Sequence, residues 1–177
     1  MADTNLSLYE IEVAIARSEE FNYLKKLVVF NVIGQGSTLP LWHECDVLVC
    51  TKIGYLTEIE IKRSYSDFLN DFKKEHDHYS EYIKNFYYCI PAKILPKVLE
   101  YMDSYENKED YRLNAGIIII NEDKDLFKYK RPKENKQAKK LSIEQMLYLA
   151  RLGSMRVISL KNKIIKKYEK ACQKKKS

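Results

Sequence analysis

Residues 44–62 read ECDVLVCTKIGYLTEIEIK. Cys45 to Cys50 is an apolar run broken only by Asp46. Tyr55 to Lys62 alternates, with Ile59 and Ile61 on one face and Glu58, Glu60 and Lys62 on the other, as side chains of period two require. Thr51-Lys52-Ile53-Gly54 supplies the turn between two such strands. An unpaired charge inside a strand core costs several kcal/mol unless it meets a partner or a metal, so Asp46 asks for one. In a hairpin, Asp46 and Glu60 converge and Lys62 lies one step along. Two facing carboxylates repel, and a hard divalent cation relieves the repulsion. Mg²⁺ or Mn²⁺ held by Asp46, Glu60 and the main-chain carbonyl of Ile61, with Lys62 beside a bound water, is a set suited to phosphodiester hydrolysis. The competing reading of Glu58, Glu60 and Lys62 is a solvated sheet face with a cross-strand salt bridge.

Outward from this hairpin the chain alternates between helical and strand periodicity. Leu8, Ile11, Ile15, Tyr23, Leu24 and Leu27 predict a helix from Leu6 to about Leu27, and Val28–Ile33 a strand closed by Gly34-Gln35-Gly36-Ser37. Ser64 to Asp67 has the capping-box spacing and opens a helix expected to reach Lys84. A buried strand at Phe86–Ile90, a short helix from Pro91 to Met102 and a hairpin of Gly116–Ile120 with Leu126–Lys130 follow. A long helix from Ser142 to about Cys172 ends in a lysine tail. The order α-β-β-β-α-β-α-ββ-α predicts an α/β fold, a mixed sheet with helices on both sides. The expectation is one domain over residues 1–160, with 161–177 as the lysine-rich helix end and tail.

The chain has 177 residues, 45% apolar and 32% charged, a globular balance. Its net charge is +6, with the excess in the last third: seven Lys/Arg and one acid lie between Lys128 and Lys140, and eight Lys and one acid between Lys161 and Ser177. Such runs favour a polyanionic partner or form a solvated surface. The N-terminus shows no signal peptide and no window reaches the roughly 18 apolar residues of a membrane span. Cys45, Cys50, Cys89 and Cys172 have no framework spacing, so the expectation is reduced thiols in a cytoplasmic protein.

Asp46 followed by Glu60-Ile61-Lys62 resembles the D…(D/E)xK core of the PD-(D/E)xK nuclease superfamily, with Cys45 in place of the superfamily's proline. Ser64-x-x-Asp67-Phe68-x-x-Asp71-x-Lys73, Ala115-Gly116-Ile117-Ile118 and Leu149-Ala150-Arg151-Leu152 are similar to the MmcB-like DNA-repair branch, over roughly residues 8–155. The resemblance implies a restriction-endonuclease-like fold and a metal-dependent nuclease acting on DNA, in repair or phage DNA metabolism. The superfamily often adds an acid from its first helix. At about 100° per residue from Leu8, Glu12 falls near 40°, between Leu8 and the arc of Ile11 and Ile15, whereas Glu10 points away.

Zinc binding through His43, Cys45 and Cys50 together with His76 and His78 matches no usual finger spacing, and strict alternation puts Cys45 opposite Asp46. Lys128, Lys130, Arg131, Lys133, Lys139 and Lys140 are the expected phosphate contacts. Ile158, Ile164, Ile165 and Tyr168 read as the packing stripe of the last helix rather than a membrane face. The sequence thus predicts an Mg²⁺-dependent DNA endonuclease and leaves its oligomeric state open, a homodimer included. The alternatives are a non-catalytic nucleic-acid-binding module with the same fold and a membrane- or protein-binding adaptor.

Overall fold

A computed structural model describes residues 2–33, 38–39, 41, 43–74 and 80–174, with side chains as far as residue 169. Helix α1 (Leu8–Arg17) opens on a capping box: the Ser7 hydroxyl accepts from the Glu10 amide and the Glu10 carboxylate accepts from the Ser7 amide. It ends ten residues earlier than its periodicity predicts. Ser18 turns extended, its hydroxyl donates to the Ile15 carbonyl and accepts the Phe21 amide, and Phe21 swings into the core edge-on to Tyr87 at 5.7 Å. A serine side chain competing for backbone partners is what stops a helix there.

Six strands follow their chain order across the sheet. β1 (Leu27–Ile33), β2 (Glu44–Cys50) and β3 (Leu56–Ile61) form an antiparallel meander. β4 (Ile83–Pro91) and β5 (Gly116–Ile120) join β3 in parallel, and β6 (Leu126–Lys130) closes the far edge antiparallel. The β2–β3 turn is tight: the Gly54 amide donates to the Thr51 carbonyl and Gly54 has φ +89°, a conformation glycine adopts without strain.

One face of the sheet packs Val47, Val49, Ile59, Ile61, Cys89, Ile118 and Ile120 against Ile11 and Ile15 of α1. The other packs Cys45, Leu48, Cys50, Leu56, Tyr88 and Ile90 against α2 (Tyr65–Asp71), α3 (Leu95–Ser104) and Leu149 of α4 (Ile143–Lys174). The chain is thus a single α/β domain with a mixed sheet between helices. The helical pattern predicted to Lys84 gives way at its end to the sheet: β4 begins at Ile83, which pairs with Leu56 of β3. Helix α2 stops at Asp71, and Lys73 and Lys74 bond back three residues. His76 and His78, like Gly34 and Gly36, lie outside the described residues.

Helix α4 is built as predicted at its start, where Ser142 and Gln145 cap one another. It packs through Leu149 and lays Gly153 on Val29. Beyond that the expected packing stripe is overturned: Ile158, Ile164, Ile165 and Tyr168 are 60%, 53%, 53% and 70% exposed. The core cluster takes Met146, Tyr148, Leu149 and Leu152 of this helix, and these later apolar side chains lie on the surface. Among the described residues no helix is long and apolar enough to cross a membrane.

Candidate acidic–lysine site

Strands β1 and β2 break their alternation at the same level, beside the site. In β1, Asn31 has φ +51°, and Val29 and Val32 fall in the same core layer. In β2, Cys45 and Leu48 share that layer while Val47 faces the other. The pairing Phe30↔Val47 and Val32↔Cys45 sets Asn31 against Asp46 between these residues. Beyond Val47↔Ile59 the β2–β3 backbone ladder ends. There the Ile61 amide donates to Asp46 Oδ2 at 2.8 Å, and the Asp46 amide donates to Glu60 Oε1 at 3.4 Å. Side-chain carboxylates stand where strand carbonyls would otherwise be, and the two carboxylates are neighbours. Burial first, and the charge of Glu60 second, push the Asp46 carboxyl up to about 7, against the Ile61 amide and the Lys62 charge.

Glu60 and Lys62 are each only 4% exposed and Glu58 is fully buried, so the solvated-face reading of β3 does not hold. The Lys62 ammonium donates to Glu60 Oε2 at 3.1 Å and to Asp71 Oδ1 at 2.6 Å. Burial alone would lower its pKa, but Glu60 and Asp71 outweigh it and hold the amine charged. Asp71 is itself tethered: Tyr88 donates its hydroxyl to Oδ2 at 2.7 Å and Arg112 donates to the Asp71 carbonyl at 2.6 Å. Asp71 and Tyr88 were not among the residues expected to build the site. The available signal was Asp71 three residues after Phe68, a charge on the apolar face of α2.

Glu12 is buried as its helical angle predicts, but it accepts from Asn31 Nδ2 at 3.0 Å. Burial raises its pKa and Asn31 opposes the rise. It therefore braces the β1 kink opposite Asp46. Among the described hydrogen bonds and ion pairs, none joins it to Asp46, Glu60 or Lys62.

The basic residues do not converge on this cluster. Lys128 pairs with Glu20 at 2.5 Å and Lys130 donates to the Leu113 carbonyl; both lie on β6, three strands from β3, or about 14 Å at the usual strand spacing. Arg131 is exposed. The chain then crosses the starting ends of β4 and β3: the Lys133 amide bonds Asn114, Asn135 bonds Lys84, Lys139 bonds Glu81 and Leu141 bonds Gly54. Lys139 also pairs with the Glu81 carboxylate at 2.7 Å, and Lys140 sits over the Tyr55 ring. Asp46, Glu60 and Lys62 occupy the other end of β3.

A chain with two opposed oxygen donors and a fixed cation fits a hard divalent ion: Asp46 and Glu60 supply carboxylates. The Ile61 carbonyl points toward the same strand edge as its amide, as backbone groups of one strand residue do.

No protein-family model and no curated protein matches the chain. Among solved structures it is similar to the SPO1766 protein of unknown function from Silicibacter pomeroyi, at 15% identity and a TM-score of 0.54, over 88% of this chain and 89% of that one. That likeness is one of fold.

Proposed function

We propose that this protein is a divalent-metal-dependent nuclease of the PD-(D/E)xK kind that hydrolyses phosphodiester bonds in DNA. The observation that carries the reading is the meeting of Asp46, Glu60 and Lys62 where the β2–β3 ladder ends. Asp46 and Glu60 would hold Mg²⁺ or Mn²⁺ with the Ile61 carbonyl. The bound ion supplies charge neutralisation at the phosphate and a bound water of lowered pKa. Lys62, kept protonated by Glu60 and Asp71, serves as a fixed cation toward the phosphate rather than as a general base. Asp71 and Tyr88 are positioning residues that hold that amine in place. The raised Asp46 carboxyl fits a site that binds its cation first, because bringing a polyanion to two unneutralised carboxylates is unfavourable. The reading extends to a cytoplasmic enzyme of DNA repair or phage DNA metabolism, and to a homodimer using the exposed apolar face of α4.

The test is cleavage of supercoiled and single-stranded DNA by the purified chain with Mg²⁺ or Mn²⁺, beside Asp46→Asn, Glu60→Gln and Lys62→Met. Each variant is expected to lose on the order of 100-fold or more in rate while DNA binding, followed by fluorescence anisotropy, stays within a few fold. Cleavage that survives Glu60→Gln, or none with either metal on any DNA form, would overturn the reading.

A second reading has its own observation. Lys62 is buried between two carboxylates, which is also how a purely structural ion network looks. A non-catalytic nucleic-acid-binding module would then bind DNA with steep salt dependence and cleave none.

A further inference from the structure

The alternation break at Asp46 also gathers a second set of side chains on the face that carries Glu58. His43 Nε2 lies 2.8 Å from Glu58 Oε1 and 3.3 Å from Cys45 Sγ, and ligand atoms of all three residues lie within 4.8 Å of one another. Cys45 and Glu58 are fully buried and the His43 side chain is 8% exposed. A strictly alternating β2 would have turned the Cys45 thiol to the opposite layer; in this fold it shares a layer with Leu48 and Leu56.

The donor set is one imidazole nitrogen, one sulfur and one carboxylate oxygen. Mg²⁺ and Ca²⁺ take oxygen donors, whereas nitrogen, sulfur and oxygen together are the ligands of Zn²⁺. Zinc bonds of about 2.0 to 2.3 Å in a tetrahedron separate their ligand atoms by roughly 3.3 to 3.7 Å. The two separations above therefore need to open by about half an ångström or less, within reach of small χ rotations. Charge points the same way. Zn²⁺ with one thiolate, one carboxylate and a neutral imidazole sums to zero, and a neutral assembly is the one a buried, low-dielectric setting tolerates.

We infer that His43, Cys45 and Glu58 form a zinc site, distinct from the oxygen-donor pair Asp46 and Glu60, with its fourth position taken by water or another donor. His43 immediately precedes β2, Cys45 is its second residue, and Glu58 lies in the middle of β3. A metal here cross-links the two strands just where their backbone ladder has run out. It thereby fixes the backbone on either side of Glu44 and, one residue further on, the placement of Asp46. The inference does not depend on the nuclease reading.

The experiment is a titration of the metal-free, reduced full-length chain with Co²⁺ as a spectroscopic stand-in for Zn²⁺, followed by displacement with Zn²⁺. One equivalent of Co²⁺ is expected to give a thiolate-to-cobalt charge-transfer band and d–d bands of tetrahedral intensity, both unaffected by excess Mg²⁺. Cys45→Ser should abolish the charge-transfer band. His43→Gln and Glu58→Gln should weaken Zn²⁺ binding on the order of 100-fold or more, since even outer-sphere losses cost 10- to 100-fold. Cys50→Ser, Asp46→Asn and Glu60→Gln should retain the band, which separates this centre from the oxygen-donor site. Absence of the band at stoichiometric Co²⁺, or its survival in Cys45→Ser, overturns the inference. If Cys45→Ser fails to fold by circular dichroism, the nearly isosteric Glu58→Gln decides: unchanged Zn²⁺ affinity in that folded variant refutes the site.

Discussion

At the scale of single residues, the chain commits charge to its interior twice around Lys62. Removing one partner of a buried, hydrogen-bonded pair leaves the other uncompensated, at a cost of about 3–5 kcal/mol. Asp71→Ala is therefore expected to lower the unfolding free energy by about that much in urea titrations. Tyr88→Phe deletes one hydroxyl donor to Asp71 and should cost only about 1–2 kcal/mol. Equal and small effects from both would mean that Asp71 is solvated and the network contributes little. Asp46 makes a prediction of opposite character. Its carboxyl titrates near 7 in the fold against about 4 in an unfolded chain, so the folded state favours the protonated form. That contribution is fully present below about pH 4 and disappears as pH rises through 7. In metal-free buffer the thermal midpoint should fall across this window, Asp46→Asn should flatten the fall, and saturating Mn²⁺ should reduce it. A midpoint that rises over the same window in the native chain, and equally in Asp46→Asn, would show that Asp46 does not titrate there.

At the scale of elements, the paired irregularity of β1 and β2 is what distinguishes this sheet from a regular one. Asn31 pays a conformational cost at φ +51° that asparagine tolerates better than most residues. Its side chain holds Glu12 of α1. Asn31→Gly keeps the backbone and removes the amide, whereas Asn31→Val keeps neither. The valine variant is expected to lose on the order of 1–3 kcal/mol more than the glycine variant, read from urea midpoints. Near-equal midpoints would mean that β1 regains regular alternation without penalty. Helix α1 carries the same lesson in its length: Tyr23 and Leu24 continue its period, yet Ser18 ends it by bonding its own backbone. Local hydrogen-bond competition overrode periodicity there, and at Ile83 and Lys84 strand pairing with β3 did so.

At the scale of the whole molecule, the buried carboxylates and the basic loop lie at opposite ends of β3. Carboxylates gather at the far end of β3, while Lys133, Lys139 and Lys140 border the starting ends of β3 and β4, roughly 15 Å away along the strands. Contacts between that border and phosphates can add affinity without touching the reacting group. The triple variant Lys133→Glu, Lys139→Glu, Lys140→Glu should therefore weaken DNA binding and flatten its salt dependence, leaving the cleavage rate at saturating DNA within a few fold. A rate that collapses at saturation would place these lysines at the reacting phosphate instead.

The order of elements, the Thr51–Gly54 hairpin, the β5–β6 hairpin and the pairing of Asp46 with Glu60 and Lys62 were all legible from residue periodicity, because hydrophobic alternation and turn chemistry act over neighbouring positions. The Asp71–Tyr88 clamp on Lys62, the exposed second half of α4 and the distance between the basic loop and the carboxylates were not. Each depends on where separate elements dock. The grouping of His43 and Cys45 with Glu58 hinges on a strand skipping one residue, and a single-residue slip of period two turns a side chain to the other face of the sheet. Sequence alone carries the pattern; the tertiary fold decides where the pattern breaks.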